Sequence, residues 1–112
     1  LEAIDHGLFD DVIWPALAAR IPAFEALRVH SAWAGYYEMN RFDHNGIAGA
    51  LPGWRNAFVA CGFSGHGMQH APAIGRAMAE RIVRGHFASI DLAPLAAERL
   101  LRGERLVEHN VI

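Results

Sequence analysis

The apolar residues near the start of the chain repeat at the three- and four-residue steps that are typical of an amphipathic helix. Asp10 and Asp11 fall in the first turn of this pattern, where carboxylates interact favourably with the positive end of a helix. We therefore predict a helix over about residues 8–20. Pro22 is expected to end or kink this helix, because proline disfavours the helical conformation of the residue before it.

After this helix the hydrophobic positions change to an alternating pattern. From Leu27 to Trp33, bulky apolar side chains fall on alternate positions, which predicts a half-buried strand that continues toward Met39. Residues 43–46 read Asp-His-Asn-Gly, a strong turn signal because Asn-Gly tolerates positive φ angles. A second strand over residues 47–51 is expected to pair back on the first.

The middle of the chain is predicted to form a strand, a glycine loop and a helix in succession. Residues 57–61 are continuously apolar, which is typical of a strand covered on both faces. The loop at residues 62–67 leads to a helix from Pro72 to Gly85, and a last short helix is predicted over residues 94–102. The predicted fold class is therefore α+β or α/β.

Composition and charge narrow the class of protein. The chain has 112 residues, 53% of them hydrophobic, and a net charge of −2, which favours a folded domain or a piece of one over disorder. Its arginines are interleaved with more numerous carboxylates, so the sequence predicts no nucleic-acid partner. No apolar run approaches the ~18 residues that a membrane span needs. Because the chain begins with leucine, we expect a fragment of a longer protein.

The single cysteine, Cys61, cannot form an internal disulfide, which favours a reducing compartment and predicts a cytoplasmic location. Its apolar neighbours predict an inert, buried side chain. A zinc site needs three or four ligands at tight spacings, and His66 and His70 do not form such a set with Cys61. We therefore predict no metal site.

Three glycines, Gly62, Gly65 and Gly67, lie between the predicted strand and helix. Glycine permits sharp turns, and the free N–H groups at a helix start suit an anion or a carbonyl edge. The spacing G-x-x-G-x-G differs from the dinucleotide fingerprint G-x-G-x-x-G, and a tight turn without a ligand is the alternative. Ser64 and His66 lack the G-x-S-x-G elbow of serine hydrolases, so His66 is predicted to be a hydrogen-bonding group beside the ligand.

The string from Ala60 to Gln69, Ala-Cys-Gly-Phe-Ser-Gly-His-Gly-Met-Gln, resembles the C-terminal flavin-contacting segment of FAD-dependent amine and amino-acid oxidoreductases. This is the family of D-amino-acid oxidase, sarcosine oxidase and glycine oxidase. The resemblance covers about residues 26–85. Further features around Tyr36-Tyr37 and in the C-terminal tail are similar to the branch of the family linked to assembly of respiratory complex I. The other residues that match are Trp33, Ala34, Gly35, Asp43, Gly46, Gly49, Ala71, Pro72, Gly75 and Glu80.

The resemblance implies a reaction and a cofactor site. The family oxidises the C–N bond of a small-molecule amine or amino acid by hydride transfer to FAD, and its C-terminal loop lies at the pyrimidine edge of the flavin ring. Tyr36 or Tyr37 falls where relatives hold the substrate carboxylate, although the two tyrosines with Trp33 also fit an ordinary aromatic core. No catalytic residue is assigned. The resemblance implies that the cofactor-binding residues are Gly62, Phe63, Ser64, Gly65, His66, Gly67, Met68 and Gln69.

Two positions depart from the family pattern. Gln69 stands where sarcosine-oxidase-like members carry lysine, so the resemblance does not extend to their activation of oxygen. Gly35 stands near the position of a cysteine that tethers flavin in some relatives, so non-covalent FAD is expected.

The resemblance also implies a domain division, with residues 1–56 in a substrate-binding domain that has a leading helix and residues 57–112 in the FAD-binding domain of a two-domain flavoprotein. Without the family's N-terminal G-x-G-x-x-G unit, we expect this fragment to be inactive, to bind FAD poorly or not at all, and to self-associate or pair with the missing part. One alternative is a stand-alone binding or assembly module with a structural glycine loop. Another is a subunit that completes its flavin site with a separate chain.

Overall fold

The computed structural model describes residues 4–110, and its internal contacts divide the chain into two units between Tyr36 and Tyr37. The first unit is helical. Helix α1 (His6–Leu8) continues through a wide π-helical stretch, Phe9–Ile13, into helix α2 (Trp14–Arg20). The predicted helix over residues 8–20 is thus confirmed in substance and begins two residues earlier.

The π-helical stretch has a local cause in the sequence. The Trp14 N–H donates to the carbonyl of Phe9, five residues earlier, and the next residue, Pro15, has no N–H with which to make an ordinary α-helical bond. At its other end α2 stops at Ile21, which is extended before a 3-10 segment, Pro22–Ala26. This confirms the predicted effect of the proline on the preceding residue.

The predicted strand from Leu27 toward Met39 is wrong. Residues 27–40 adopt neither helix nor strand, and no segment of the described chain pairs with them. A strand is stable only when a neighbour accepts and donates its ladder hydrogen bonds, so an alternating pattern without a partner does not form one. The side chain of Trp33 is 83% exposed, in contrast to the half-buried face that its position predicted.

The second unit contains an antiparallel pair of strands, β1 (Ile47–Ala50) and β2 (Phe58–Cys61). Their register pairs Ile47 with Cys61 and Ala50 with Phe58. The predicted strand over residues 47–51 is therefore confirmed, but it pairs forward with β2 and not back with residues 27–39. An antiparallel pair combined with helices makes the described chain a small α+β structure.

The prediction that the second strand is covered on both faces is wrong. Most of β2 is exposed, including Cys61, because the helix and the 3-10 turn that follow pack on β1 in the described part of the chain. The buried core joins Ala48 of β1 to the following loop and helix. Its members are Ala48, Phe63, Ile74, Ala77, Met78 and Leu92.

Helix α3 (Gly67–Arg84) begins five residues before the predicted start at Pro72. Pro72 lies inside the helix near its N-terminal end, where the missing N–H removes one bond without stopping the helix. The predicted end is confirmed. Gly85 adopts a left-handed conformation with φ 79°, and its N–H donates to the Arg81 carbonyl, a common helix termination.

The last predicted helix, over residues 94–102, is interrupted. A 3-10 turn, Ala93–Leu95, is followed by Ala96 in an extended conformation, and helix α4 spans only Glu98–Arg102. No helix within residues 4–110 is long and apolar enough to cross a membrane.

The Glu80 side chain of α3 forms hydrogen bonds with residues 88 and 89, which follow the helix. Its carboxylate accepts hydrogen bonds from the Ser89 hydroxyl at 2.6 Å and from the Ser89 and Ala88 N–H groups at 2.9 and 3.0 Å. These bonds, the Ser89 hydroxyl first among them, lower the Glu80 pKa from 4.5 to about 2. Because the folded pKa is below the unfolded one, this stabilisation is complete above pH 4.5 and is lost as the pH falls toward 2.

Glu80→Gln is expected to lower the melting temperature of the chain at neutral pH, because the neutral amide is a weaker acceptor and donates where the carboxylate accepts. The variant should also lose less stability than the parent chain between pH 4.5 and 2. Thermal melts at a series of pH values test this. Glu25→Gln is the matched control, since Glu25 is exposed and makes no side-chain hydrogen bond in the described chain. Equal pH slopes for both variants would contradict the prediction.

Candidate functional site

The loop between β2 and α3, residues 62–66, turns sharply through left-handed backbone conformations. The φ angles are 70° at Gly62, 49° at Ser64 and 91° at Gly65. Glycine adopts such angles without strain, but serine does so only where its surroundings hold it. We call this segment, together with the first turn of α3 through Gln69, the glycine loop.

Ser64 is held by its own side chain. It is fully buried, its hydroxyl oxygen accepts a hydrogen bond from the Asn40 N–H at 3.0 Å, and the hydroxyl is 3.3 Å from the Gly62 carbonyl to which it donates. The loop is thus fixed to a residue 24 positions earlier in the sequence. A hydroxyl engaged in this way is a structural group and not a free nucleophile, consistent with the absence of a hydrolase motif.

The glycine loop presents several amide donors that have no acceptor in the part of the chain that the structure describes. The His66 N–H donates to the Phe63 carbonyl at 2.9 Å, and the His70 N–H donates to the His66 carbonyl at 3.2 Å. No side chain caps the helix. The positive end of an 18-residue helix therefore faces outward with unpaired N–H groups. Those on accessible residues belong to Gly65, Gly67, Met68 and Gln69.

Aromatic and imidazole rings line the start of α3. His66 and His70 are stacked with ring centroids 5.9 Å apart, and the buried Phe63 ring meets His70 edge-on at 6.1 Å. A side chain at Gly46 would overlap the Phe63 ring, so this glycine is required for close packing beneath the loop. Glu38 also approaches the loop, and its carboxylate accepts from the Phe63 N–H at 3.4 Å.

A buried ion pair lies beside the loop. Asp43 and Arg99 are 3% and 4% exposed, and the guanidinium donates to both carboxylate oxygens, at 2.9 and 3.1 Å. Burial by itself would raise the Asp43 pKa, but the Arg99 guanidinium and the N–H groups of Leu106 and Asn45 outweigh it and lower this pKa below 3.8. Asp43 is therefore a stable carboxylate at neutral pH.

The sequence model of the FAD dependent oxidoreductase family matches residues 2–81. The chain belongs to this family. The match covers α1 to most of α3 and includes the whole glycine loop. The predicted family resemblance is thereby confirmed, as is the assignment to sarcosine-oxidase-like flavoproteins.

Among curated proteins, this family member is 50% identical over 109 residues to FAD-dependent oxidoreductase domain-containing protein 1 of Bos taurus. It is 44% identical over 107 residues to the Drosophila melanogaster homologue and 40% identical over 60 residues to an N-methyl-L-tryptophan oxidase of Salmonella enteritidis. The alignments cover 97%, 96% and 54% of this chain and 22%, 21% and 16% of those proteins. The chain thus spans about a fifth or less of the length of these curated relatives. No solved structure gives a significant match.

The donor set of the glycine loop fits the cofactor of this family. One edge of a flavin ring carries carbonyl oxygens and ring nitrogens that accept hydrogen bonds, and the loop supplies amide donors with no acceptor of their own among residues 4–110. Gly65 and Gly67 are partly accessible, and Met68 and Gln69 are exposed. These four residues could therefore hold FAD, and the cofactor-binding role of the remaining loop residues, Gly62 to Ser64 and His66, stays a prediction.

The two candidate substrate residues lie in different units. Tyr36 is 88% exposed and ends the first unit, whereas Tyr37 begins the second and is 49% exposed. Their substrate-binding role stays a prediction, and so does the domain division at residue 56. The described residues contain no group of three histidine, cysteine, aspartate or glutamate side chains placed to hold a metal ion.

The sequence pattern missed Arg99 and the side chain of Asn40. Arg99 is 56 positions from its partner Asp43, and nothing in its neighbourhood distinguishes it from the other nine arginines. The nearest signal was the pair Asn40 and Asp43 just before a turn, since such residues favour local side-chain to backbone bonds. The Cys61 side chain, predicted to be buried, is exposed at the end of β2 instead.

Proposed function

We propose that this chain is the C-terminal part of an FAD-dependent oxidoreductase that oxidises the C–N bond of an amine or amino acid. The observation that carries the proposal is the set of unpaired amides at the start of α3, within the segment matched by the family. A relative that aligns with about half of the chain is named as an oxidase of an N-methyl amino acid, which supports an amine as the substrate class.

Bound FAD would supply the hydride acceptor for the oxidation. The contribution of this chain is electrostatic. Amides that are already aimed outward by the fold need no reorganisation to stabilise negative charge, and the helix end adds its partial positive charge. Gly65 and Gly67 allow close approach because neither places a side chain between its own N–H and the ligand.

The proposed role of Gln69 is that of a neutral donor. Its amide carries no net charge, in contrast to the lysine of sarcosine-oxidase-like relatives, so the chain offers the cofactor dipoles and not a full cation. We further propose that FAD is held non-covalently, that Tyr37 or Tyr36 helps to hold the substrate carboxylate, and that residues 57–112 belong to the FAD-binding domain.

The direct test uses the longer protein that would contain this chain. Purified without added cofactor, it should show flavin absorption, and anaerobic mixing with N-methyl amino acids should bleach the flavin band. An analogue in which carbon replaces the amine nitrogen is the control and should leave the band unchanged. Flavin that no amine reduces would contradict the C–N reaction. A colourless protein that does not take up FAD would favour the stand-alone module with a structural glycine loop.

A further inference from the structure

A continuous set of hydrogen bonds joins helix α4 to the glycine loop through three side chains outside the loop. Arg99 donates to both carboxylate oxygens of Asp43, at 2.9 and 3.1 Å. The Asn40 side-chain amide donates to the same carboxylate at 2.8 Å, and the Asn40 backbone N–H donates to the Ser64 hydroxyl oxygen at 3.0 Å. Four residues from three separate segments of the sequence thus form one series of contacts that ends in the loop.

These hydrogen bonds hold the four residues in a fixed arrangement. Arg99, Asp43 and Ser64 are all buried, and hydrogen bonds strengthen where water is excluded. The bidentate pairing of Arg99 with Asp43 sets the plane of the carboxylate. The same guanidinium also donates to the carbonyls of Asn45 and Gly46 at 3.2 and 3.0 Å, so the turn that carries Asp43 is held on two sides.

Ser64, the last residue in this series of contacts, lies where its position determines the backbone conformation of the glycine loop. Ser64 has a φ angle of 49°, which a residue with a side chain holds only when its surroundings enforce it. The next residue, Gly65, carries an unpaired amide, and the His66 N–H bond to the Phe63 carbonyl closes the turn around Ser64. Movement of the Ser64 hydroxyl would therefore change the direction of the amide donors.

We infer that Arg99, Asp43 and Asn40 are positioning residues of the glycine loop, which act by fixing the Ser64 hydroxyl. That this loop is a cofactor site rests on the proposed function. The effect of the three residues on the loop geometry is a property of this chain alone. Helix α4 thereby supports the cofactor site through Arg99, although none of its residues lies in the glycine loop.

The test measures amide hydrogen exchange by NMR in the 112-residue chain without flavin. In Arg99→Lys the point charge of lysine cannot reproduce the fork to Asp43 or the bonds to the turn carbonyls. The N–H groups of Asn40 and His66 are expected to exchange about tenfold faster relative to amides in the middle of α3. Glu80→Gln is the matched control, because it breaks a carboxylate network at the far end of α3 and should leave these two amides at their parent rates.

Ser64→Ala supplies a second variant that leaves the buried ion pair intact. It removes the last link, so the His66 N–H should exchange faster, as in Arg99→Lys. The inference is overturned if the His66 N–H keeps its parent rate relative to α3 in either variant. It is also overturned if exchange accelerates by the same factor throughout β2 and α3, because these residues would then support only global stability.

A separate measurement distinguishes this inference from the proposed function. In the longer protein proposed above, Arg99→Lys and Ser64→Ala should weaken flavin binding about tenfold relative to Glu80→Gln. If the loop amides respond in the flavin-free chain but flavin affinity does not change, the positioning network stands and the proposed flavin site fails. Parent exchange rates at the loop overturn the inference whatever the flavin affinity.

Discussion

Gly65→Val in the longer protein is expected to remove stable flavin occupancy while the fold is largely retained. Gly65 has a φ angle of 91°, which a β-branched residue adopts only with strain. Strain of roughly 1–3 kcal/mol, relieved by moving the loop, corresponds to about a fivefold to 150-fold loss of flavin affinity. The measurement is the ratio of flavin to protein absorbance after purification, with circular dichroism to report the fold.

Gly85→Val is the matched control for this variant. Gly85 has a similar positive φ angle of 79°, lies at the opposite end of α3, and has open space where an added Cβ would lie. The control therefore carries a similar strain without moving the amides at the helix start. Unchanged flavin occupancy in Gly65→Val would remove this residue from the site. Equal loss in both variants would show that strain alone, and not the position of the loop, decides occupancy.

Arg99→Met is expected to destabilise the 112-residue chain by about 3–5 kcal/mol, because it leaves Asp43 as a buried carboxylate without its counter-ion. That is a large part of the stability of a small domain, which is roughly 5–15 kcal/mol. The pH dependence should also change. In the parent chain the Asp43 pKa is lowered, so its stabilisation is lost as the pH falls through the folded value. Without Arg99 this lowering is weaker, so acidification should cost the variant less stability than it costs the parent chain.

Urea unfolding at neutral and acidic pH measures both effects. Arg102→Met is the matched control on the same helix, since its ion pair with Glu104 is about 60% exposed and should contribute little. The double variant Asp43→Asn, Arg99→Met removes both charges and should lose less stability than the sum of the two single variants. An Arg99→Met variant as stable as Arg102→Met would contradict a buried, uncompensated carboxylate.

Local sequence signals predicted the elements that local interactions determine. The helical period placed α2 and the end of α3, and Gly85 supplied the left-handed cap. The Asp-His-Asn-Gly segment before β1 and the glycines after β2 marked turns, because their preferred backbone conformations are properties of the residues themselves. The predicted start of α3 is too late because proline favours the first position of a helix, whereas this helix contains Pro72 inside its N-terminal part.

Strand pairing could not be predicted in the same way. The alternation from Leu27 to Trp33 is typical of a strand, but the local sequence does not indicate whether a partner strand is present. Likewise, the apolar run of β2 does not indicate which elements would pack on the strand, and in the described chain most of its residues are exposed. Burial depends on which surfaces meet, and that is a property of the whole assembly of elements.

The amino-acid sequence by itself determined the family, the glycine loop and the helix that follows it, because each depends on residues that are close together in the chain. Only the tertiary structure decided that Ser64 is buried, that the accessible amides of Gly65, Gly67, Met68 and Gln69 have no acceptor among the described residues, and that Arg99 meets Asp43 across 56 positions. The physical reason is that hydrogen-bond satisfaction and burial are set by non-local contacts, whereas turn and helix preferences are set by each residue and its immediate neighbours.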